Sequence, residues 1–479
     1  MEDLIRGKKV TVFGLGLNQG GVGTVRFLVS HGVREIIVTD AKTAEMLAPS
    51  IEALKDIPNI RYVLGEHRRE DFIDTDLVIK NPAIPWTNGF VQAAQEAGVP
   101  VEMDASLFFQ FCRGTIIGVT GTKGKTTTAT LLAFLLRSSD LCHPEVGSGP
   151  AKEGKTVVEV GVGQTPVLSL LDWIDEETLV VFELSSWRLS ALRKHHMSPH
   201  IAIFTNFFAD HLNYYSSMDD YFEDKRMICA FQKSDDILIH PSGKPRFAYG
   251  CGEGKKLEFS LDDTGVNPLV FWQGDSVVYR DETGKEEILF DQSQLLLLRG
   301  EHNRSNILAA VAGALMVGVS VEDIRVALPK FTGVRHRLER VREWHGVEWY
   351  NDTTATVPEA AEHALESFSE PIILIAGGAD KNLDFTRLAQ TLVMHPPKAT
   401  ILFRGDATDK LLEALQQQKF DTKDIALVDS MAVAIDQAKE KAQSGDVVLL
   451  SPGAASFGIF QNEFDRGDQF RELVLNFEE

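Results

Sequence analysis

Positive charge is what this sequence is short of: 48 lysines and arginines face 69 aspartates and glutamates, a formal net charge of −21 over 479 residues. A surface of that sign repels nucleic acid and anionic membranes, so any anionic ligand must be held by local basic groups. Cysteine is scarce too. The four present, Cys112, Cys142, Cys229 and Cys251, show neither a C-x-x-C nor a metal-ligand spacing, and they read as ordinary thiols in a reducing compartment. Long apolar runs are also missing. The opening MEDLIRGKKV carries no apolar signal segment, and the longest uncharged tract, residues 305–321, includes polar residues and falls short of a membrane span. No short-period repeat is evident. These absences predict a cytoplasmic protein with no membrane insertion and no nucleic-acid partner.

What the chain does have is enough apolar material, 44% of its residues, to give a core to each of about three domains at roughly 150 residues apiece. Three strand-turn-helix openings with Gly-rich turns stand out. The first runs from a strand at 9–13 through Gly14-Leu15-Gly16 and Gly20-Gly21-Val22-Gly23 into a helix-like stretch ending near His31, then a second strand that ends at Asp40. The unit resembles the start of a dinucleotide fold, but its glycine spacing departs from G-x-G-x-x-G. Its glycines serve tight turns or approach the phosphates of some other nucleotide. A strand at 76–80, the turn Asn81-Pro82-Ala83-Ile84-Pro85 and a strand near 99–102 carry this domain to about Arg113.

The second opening is the chemically specific one. A buried strand at 115–119 leads into GVTGTKGKTTT and an apolar-faced helix over 126–136. Backbone N–H groups around such a turn and at the helix N-terminus converge on phosphate oxygens; Lys125 adds a point charge and Thr126 a hydroxyl for magnesium. The strict G-x-x-x-x-G-K-[ST] pattern is not met, because Val119 stands where its first glycine belongs. Downstream, a strand ends in Glu183, a carboxylate that suits a hard cation or the dipole at a helix start. Another leads to Asn206, Asp210 and His211, and a lone histidine there is a functional group or a hydrogen-bonded structural one. The segment 240–294 reads as short β segments with hairpin turns, one closing across 281–285. Asn303 and Asn306, three apart, share a helix face and serve either a ligand or a helix cap. The third opening is the strand before Gly377-Gly378, followed by Asp380 and Lys381.

Taken in order, GVTGTKGKTTT, FELSSW, TNFFADHLNYY, FEDKRMI, RGEHNRSN, TGVRHRLE, YNDTTAT, IAGGADKNLDF and LLSPGAASFGIF make the chain similar, over essentially its whole length, to the Mur ligases. These are ATP-dependent amide ligases that build the peptidoglycan stem peptide, and the glutamate-adding branch matches best. The resemblance implies an α/β protein of three domains. A Rossmann-like domain at 1–113 would bind the UDP end of the substrate. A P-loop ATPase-like domain at 114–332, a mostly parallel sheet with small β segments, would bind ATP. A C-terminal Rossmann-like domain at 333–479 would bind the amino acid.

The same resemblance implies roles. Leu15, Gly16, Leu17 and Asn18 would face the diphosphate, with Asp40, Ala41 and Lys42 near the uracil or phosphates and Asn81 adding a polar contact; Lys42 read by itself is equally a solvated lysine. Gly121, Thr122, Lys123, Gly124, Lys125, Thr126 and Thr127 would form the ATP loop, with Asn303, Asn306, Arg337 and Asp352 also on the nucleotide. Thr126 and Glu183 would ligate one Mg²⁺ and His211 a second. Lys225, by itself a surface helix charge, falls where the family carries a lysine carbamylated by CO₂, an anion able to ligate the metal. Lys125, His211 and Lys225 would be the catalytic set. Thr356, Lys381, Ser456 and Phe457 would hold the incoming glutamate.

The implied reaction adds glutamate to UDP-N-acetylmuramoyl-L-alanine: the alanyl carboxylate attacks the ATP γ-phosphate to give an acyl phosphate, and the glutamate amine displaces phosphate. Water must be kept out once the acyl phosphate forms, so domain closure around Arg337 is expected. A monomer with small-molecule substrates is expected. Three departures touch substrate detail. Thr354 stands where many relatives have lysine, Val160-Gly161-Val162-Gly163 lacks the asparagine of a G-N-I-G motif that would contact the sugar-peptide substrate, and glycines 20, 21 and 23 are extra. Two alternatives stay open: a related ligase adding L-glutamate, another amino acid or a folate-linked glutamate, and a P-loop kinase or nucleotide switch fused to a dinucleotide-binding module.

Overall fold

The computed structural model describes residues 2–17, 19–142, 155–163, 165–210, 214–243, 245–292 and 301–478. Three sheets organise them. The first holds β1 (Lys9–Phe13), β2 (Glu35–Asp40), β3 (Ile60–Leu64), β4 (Leu77–Lys80) and β5 (Val101–Glu102), all parallel, in the order β3-β2-β1-β4-β5. The second holds β6 (Thr115–Thr120), β7 (Thr156–Val160), β8 (Thr178–Glu183), β9 (Ile201–Phe204), β10 (Ile237–Pro241), β11 (Lys255–Ser260), β12 (Leu269–Gln273), β13 (Ser276–Arg280) and β14 (Glu286–Asp291). Its order is β14-β13-β12-β11-β10-β9-β6-β8-β7. The third holds β15 (Glu339–Trp344), β16 (Val347–Asn351), β17 (Ile372–Gly377), β18 (Ala399–Phe403), β19 (Ala426–Val428) and β20 (Val447–Leu450), in the order β15-β16-β20-β17-β18-β19.

The strands at the sheet centres are continuous apolar runs because a parallel sheet is covered on both faces. Strands β4, β9 and β20 are buried at every position. The strand order reverses beside β1 in the first sheet and beside β6 in the second, so each carboxyl edge opens a crevice there, where open α/β sheets bind ligands. The two sheets belong to one compact unit, and the third to a second that includes everything from Phe331 onward. A single buried cluster reaching from Ile5 to Phe247 joins the first two sheets.

The region 240–294 is more than a set of short β pieces. Strands β10 to β12 continue the central sheet in parallel, and only β13 and β14 turn back as antiparallel hairpin strands. Helix Glu301–Val317 packs on β9 to β12, which explains why its long uncharged tract is core rather than membrane. Among the described residues no helix is long and apolar enough to cross a membrane. The thiol reading needs correction: Cys229 and Cys251, 22 residues apart in sequence and with Cα atoms 4.9 Å apart, are disulfide-bonded, leaving Cys112 and Cys142 free. The bond joins the turn after helix Met218–Arg226 to a loop, a pairing that no local spacing reveals.

Candidate active site

The phosphate loop leaves β6 and enters helix Lys125–Arg137 through Gly124 at φ +79°. Two of its glycines are fixed by what surrounds them. A Cβ on Gly121 would lie 1.9 Å from Thr205 Oγ1, and one on Gly124 would lie 2.0 Å from Asn306 Oδ1. The loop is also strapped to the segment after β9: Lys123 N–H donates to Asn206 Oδ1 (2.9 Å), and Thr205 Oγ1 (2.7 Å) and Asn206 Nδ2 (3.0 Å) donate to the Lys123 carbonyl. Lys125 Nζ curls back onto the carbonyls of Gly121 and Thr122, at 3.1 and 3.0 Å. A cradle held this way is pre-organised for an anion.

Thr126 stands on the first turn of that helix and donates to Glu183 Oε2 at 2.8 Å. Strands β6 and β8 are direct neighbours with Val119 opposite Glu183, so the carboxylate is delivered to the loop by sheet register. Helix Met218–Arg226 brings Lys225 from the other side. Its side chain is 1% exposed, its Nζ donates to the Gly121 carbonyl at 2.7 Å, and it lies 4.8 Å from the centroid of the Tyr221 ring. Burial, seconded by the Lys125 charge, holds the Lys225 amine well below its ordinary pKa. Lys225 is therefore not the surface charge that its helix alone suggests. Asn303 and Asn306 lie inside helix Glu301–Val317 rather than at a cap, both are buried, and Asn306 Nδ2 donates to Asn303 Oδ1 at 3.1 Å. His211 falls outside the described residues.

At the first sheet's carboxyl edge, Asp40 closes β2 and accepts from Gly16 N–H at 3.0 Å and Lys42 N–H at 2.9 Å. Gly16 is held at φ +62°, and the Ser50 hydroxyl donates to its carbonyl. Asn81, at the end of β4, accepts from Ala83 N–H at 3.0 Å and packs on Gly14. Leu17, Ala41 and Lys42 are exposed there; Asn18 is outside the described residues. The extra glycines do not form a turn. Gly20, Gly21 and Gly23 lie within helix Gly20–Ser30, where a Cβ on Gly21 would meet the Leu15 carbonyl at 2.2 Å and one on Gly23 would meet Pro166 at 2.0 Å. They let the helix lie close to its neighbours.

In the second unit, Asp352 follows β16 and is buried. Leu338 N–H donates to its Oδ1 at 3.1 Å and Ser451 Oγ to its Oδ2 at 2.8 Å, while burial pushes its carboxyl up to about 7. Arg337 is exposed. Thr354 donates its hydroxyl to the His336 carbonyl at 2.8 Å. The Ala379 and Ala455 backbones pair, bringing Lys381 within 5.9 Å of the Phe457 ring centroid. Between them, the Ser456 hydroxyl is buried and has no hydrogen-bond partner among the described residues. Thr356 is half-buried on the neighbouring segment, which the Ala355 carbonyl ties to Gly453 N–H.

Several site residues escape sequence reasoning. Arg466, wholly buried, holds the Thr353 hydroxyl, the Thr353 carbonyl and the Ala454 carbonyl together, and nothing in its local sequence announces this. Thr205 could have been found, since a polar residue at the end of a buried strand beside the phosphate loop is a signal; its neighbour Asn206, named from sequence only as following that strand, straps the loop.

Comparison with known proteins agrees with this geometry. Three family profiles match successive parts of the chain: "Mur ligase MurD-like, N-terminal domain" at residues 8–102, "Mur ligase middle domain" at 119–314 and "Mur ligase, glutamate ligase domain" at 336–453. A UDP-N-acetylmuramoylalanine–D-glutamate ligase of Roseiflexus sp. (strain RS-1) is 40% identical over 99% of both chains. Proteins of that name from Borreliella afzelii (strain PKo) and Symbiobacterium thermophilum are 36% and 34% identical, each over 98% of both chains. Among solved structures, a UDP-N-acetylmuramate-alanine ligase from Thermotoga maritima shares the fold at TM-score 0.57 and 18% identity, covering 98% of this chain and 99% of its own. With relatives matching from end to end at this identity, the chain belongs to the Mur ligase family.

Proposed function

We propose that the protein joins D-glutamate to UDP-N-acetylmuramoyl-L-alanine at the expense of ATP, a step in building the peptidoglycan precursor. One observation carries the reading: a phosphate loop whose Thr126 hydroxyl meets Glu183 while the buried Lys225 amine sits against the same loop. The name that the relatives share supplies the substrates. Family membership removes the kinase or switch alternative.

Magnesium fits the donors present. A threonine hydroxyl and a carboxylate are hard oxygen ligands, and two of them leave the other positions to water and phosphate oxygens, as this ion prefers. Thr126 and Glu183 would hold one ion, with His211 and a carbamylated Lys225 as ligands of a second. The bound metal would neutralise charge on the transferring phosphoryl group.

The chain's own residues do the rest. The amides and side chains of residues 121–127, with Asn303 and Asn306 behind them, would seat the triphosphate, and Arg337 and Asp352 are proposed to contact the same nucleotide. Leu15, Gly16, Leu17, Asn18, Asp40, Ala41, Lys42 and Asn81 would hold the UDP moiety. Lys381 and Phe457 would flank the amino acid, with Thr356 beside them and the unpartnered Ser456 hydroxyl meeting a carboxylate. Catalysis is then positioning and charge neutralisation: the alanyl carboxylate attacks the γ-phosphate, and the glutamate amine displaces phosphate from the acyl phosphate. On this reading residues 1–113 serve the sugar nucleotide, 114–332 the ATP and 333–479 the amino acid, in a cytoplasmic monomer. The deciding assay supplies ATP, Mg²⁺ and UDP-N-acetylmuramoyl-L-alanine with D- or L-glutamate and measures phosphate. Release that requires D-glutamate is expected; release without glutamate, or with neither isomer, would refute the proposal.

A further inference from the structure

Gly161 and Arg188 meet at the carboxyl edge of the central sheet. Gly161 follows β7 at φ +77°, at the carboxyl edge and directly beside the end of β8. A Cβ there would lie 2.6 Å from the Glu183 carbonyl and 3.1 Å from Arg188 Nη1. The asparagine found in many relatives at this point therefore has no room here. Its space faces a guanidinium instead.

Arg188 is well placed to act in its stead. It belongs to helix Ser186–Ser190, whose N-cap Ser185 accepts from the Arg188 N–H, so its backbone is anchored five residues after Glu183. Its Nε and Nη2 donate to Asp104 Oδ2 at 3.2 and 2.8 Å, which fixes the plane of the fork. Asp104 is itself fixed, its Oδ1 accepting from Ala105 N–H at 2.7 Å. The remaining nitrogen, Nη1, has no hydrogen-bond partner among the described residues and points over Gly161. The side chains of Arg188 and Asp104 are 21% and 12% exposed, so the donor is reachable but not freely solvated. Across Gly161 from the Glu183 carbonyl, this fixed guanidinium presents a rigid donor to an acceptor oxygen.

We infer that Arg188 is a substrate-binding residue: its Nη1 donates to an acceptor oxygen of the sugar-peptide acid, in the role that an asparagine side chain at position 161 would otherwise fill. The inference rests on the proposed ligase reaction. Its test is a substitution. Arg188→Met should raise the KM for UDP-N-acetylmuramoyl-L-alanine and weaken calorimetric binding of that compound without ATP by about tenfold, the loss expected for one hydrogen bond to a charged group. The KM values for ATP and D-glutamate should stay within about twofold of wild type. Gly161→Asn should impair the enzyme, because its side chain would meet the Glu183 carbonyl and the Arg188 guanidinium at a φ of +77°. Unchanged precursor affinity in Arg188→Met, or an equal rise in all three KM values, would overturn the inference. If Arg188→Met does not fold, Arg188→Lys, which keeps the charge but not the fixed fork, should show the same selective KM rise, and its absence would count equally against the idea. A wild-type protein that fails to turn over the precursor would refute the ligase reading itself, a different outcome from any of these.

Discussion

Lys225 Nζ lies 2.7 Å from the carbonyl oxygen of Gly121, so a fully buried amine donates into the backbone of the phosphate loop. Burial disfavours its protonated form and so favours the neutral amine, the form that attacks CO₂: a nitrogen–carbon bond forms, a proton leaves, and the product is an anionic carbamate. We therefore expect Lys225→Ala to lose activity on the order of a hundredfold or more, with partial recovery on adding formate or acetate. Carbon-13 NMR of protein equilibrated with labelled bicarbonate should show one carbamate signal that the variant lacks. Full activity in Lys225→Ala, or no such signal, would remove the carbamate.

Gly124 and Asn306 give a second prediction. With a Cβ only 2.0 Å from Asn306 Oδ1 and a φ of +79°, Gly124→Ala must both displace the asparagine and strain the backbone. ATP affinity should fall strongly. Gly124→Ala with Asn306→Ala should recover part of it, since the collision is relieved while the strain, about 1 kcal/mol, persists and no asparagine is left to bond ATP. Titration with a fluorescent ATP analogue reads both variants; equal affinity in Gly124→Ala and wild type would mean that the loop is not the nucleotide cradle.

How legible all this is from sequence depends on the range of the interaction. Strands β1, β6 and β8 and the turn after β6 are written locally, as buried apolar runs ending in Gly, Lys, Thr or Glu, so the fold class and the loop could be read directly. Family resemblance added Lys225, whose own helix gives no hint of burial. What could not be read is what depends on partners far along the chain: Gly23 is required by Pro166, Gly161 by the neighbouring strand end and Arg188, and Arg466 serves Thr353 from 113 positions away. The Cys229–Cys251 pairing is of the same kind. Single residues carry no trace of such contacts, because the same glycine or arginine fits many surroundings.

Asp352 predicts a pH dependence of stability. Burial raises its carboxyl to about 7 in the folded protein, against about 3.9 in an unfolded chain. Between those values the folded state holds the extra proton, so this residue's contribution is fully present below about pH 4 and is lost as pH rises toward 7, at up to about 1.4 kcal/mol per pH unit. Asp352→Asn cannot ionise, yet its amide oxygen can still accept from Leu338 N–H and its NH₂ can donate to the Ser451 oxygen. The variant should gain stability relative to wild type as pH rises from 4 to 7. Thermal midpoints of the two full-length proteins at several pH values check this; a constant difference would refute the raised carboxyl.

Ser456 offers a way to separate binding from stability in the second unit. Its hydroxyl is buried and unpartnered among the described residues, an arrangement that costs stability unless a ligand supplies the missing bond. Removing the hydroxyl should therefore leave the unliganded protein as stable as before or slightly more so. If the missing partner is a glutamate carboxylate, Ser456→Ala should raise the KM for D-glutamate by roughly ten- to a hundredfold, the range for a hydrogen bond to a charged group, while the KM for ATP holds. Lys381→Met should act in the same direction, because its ammonium lies beside Phe457 on the same edge. Melting curves together with glutamate titrations decide the matter: a lower midpoint with an unchanged KM would show that Ser456 supports the fold and does not touch the amino acid.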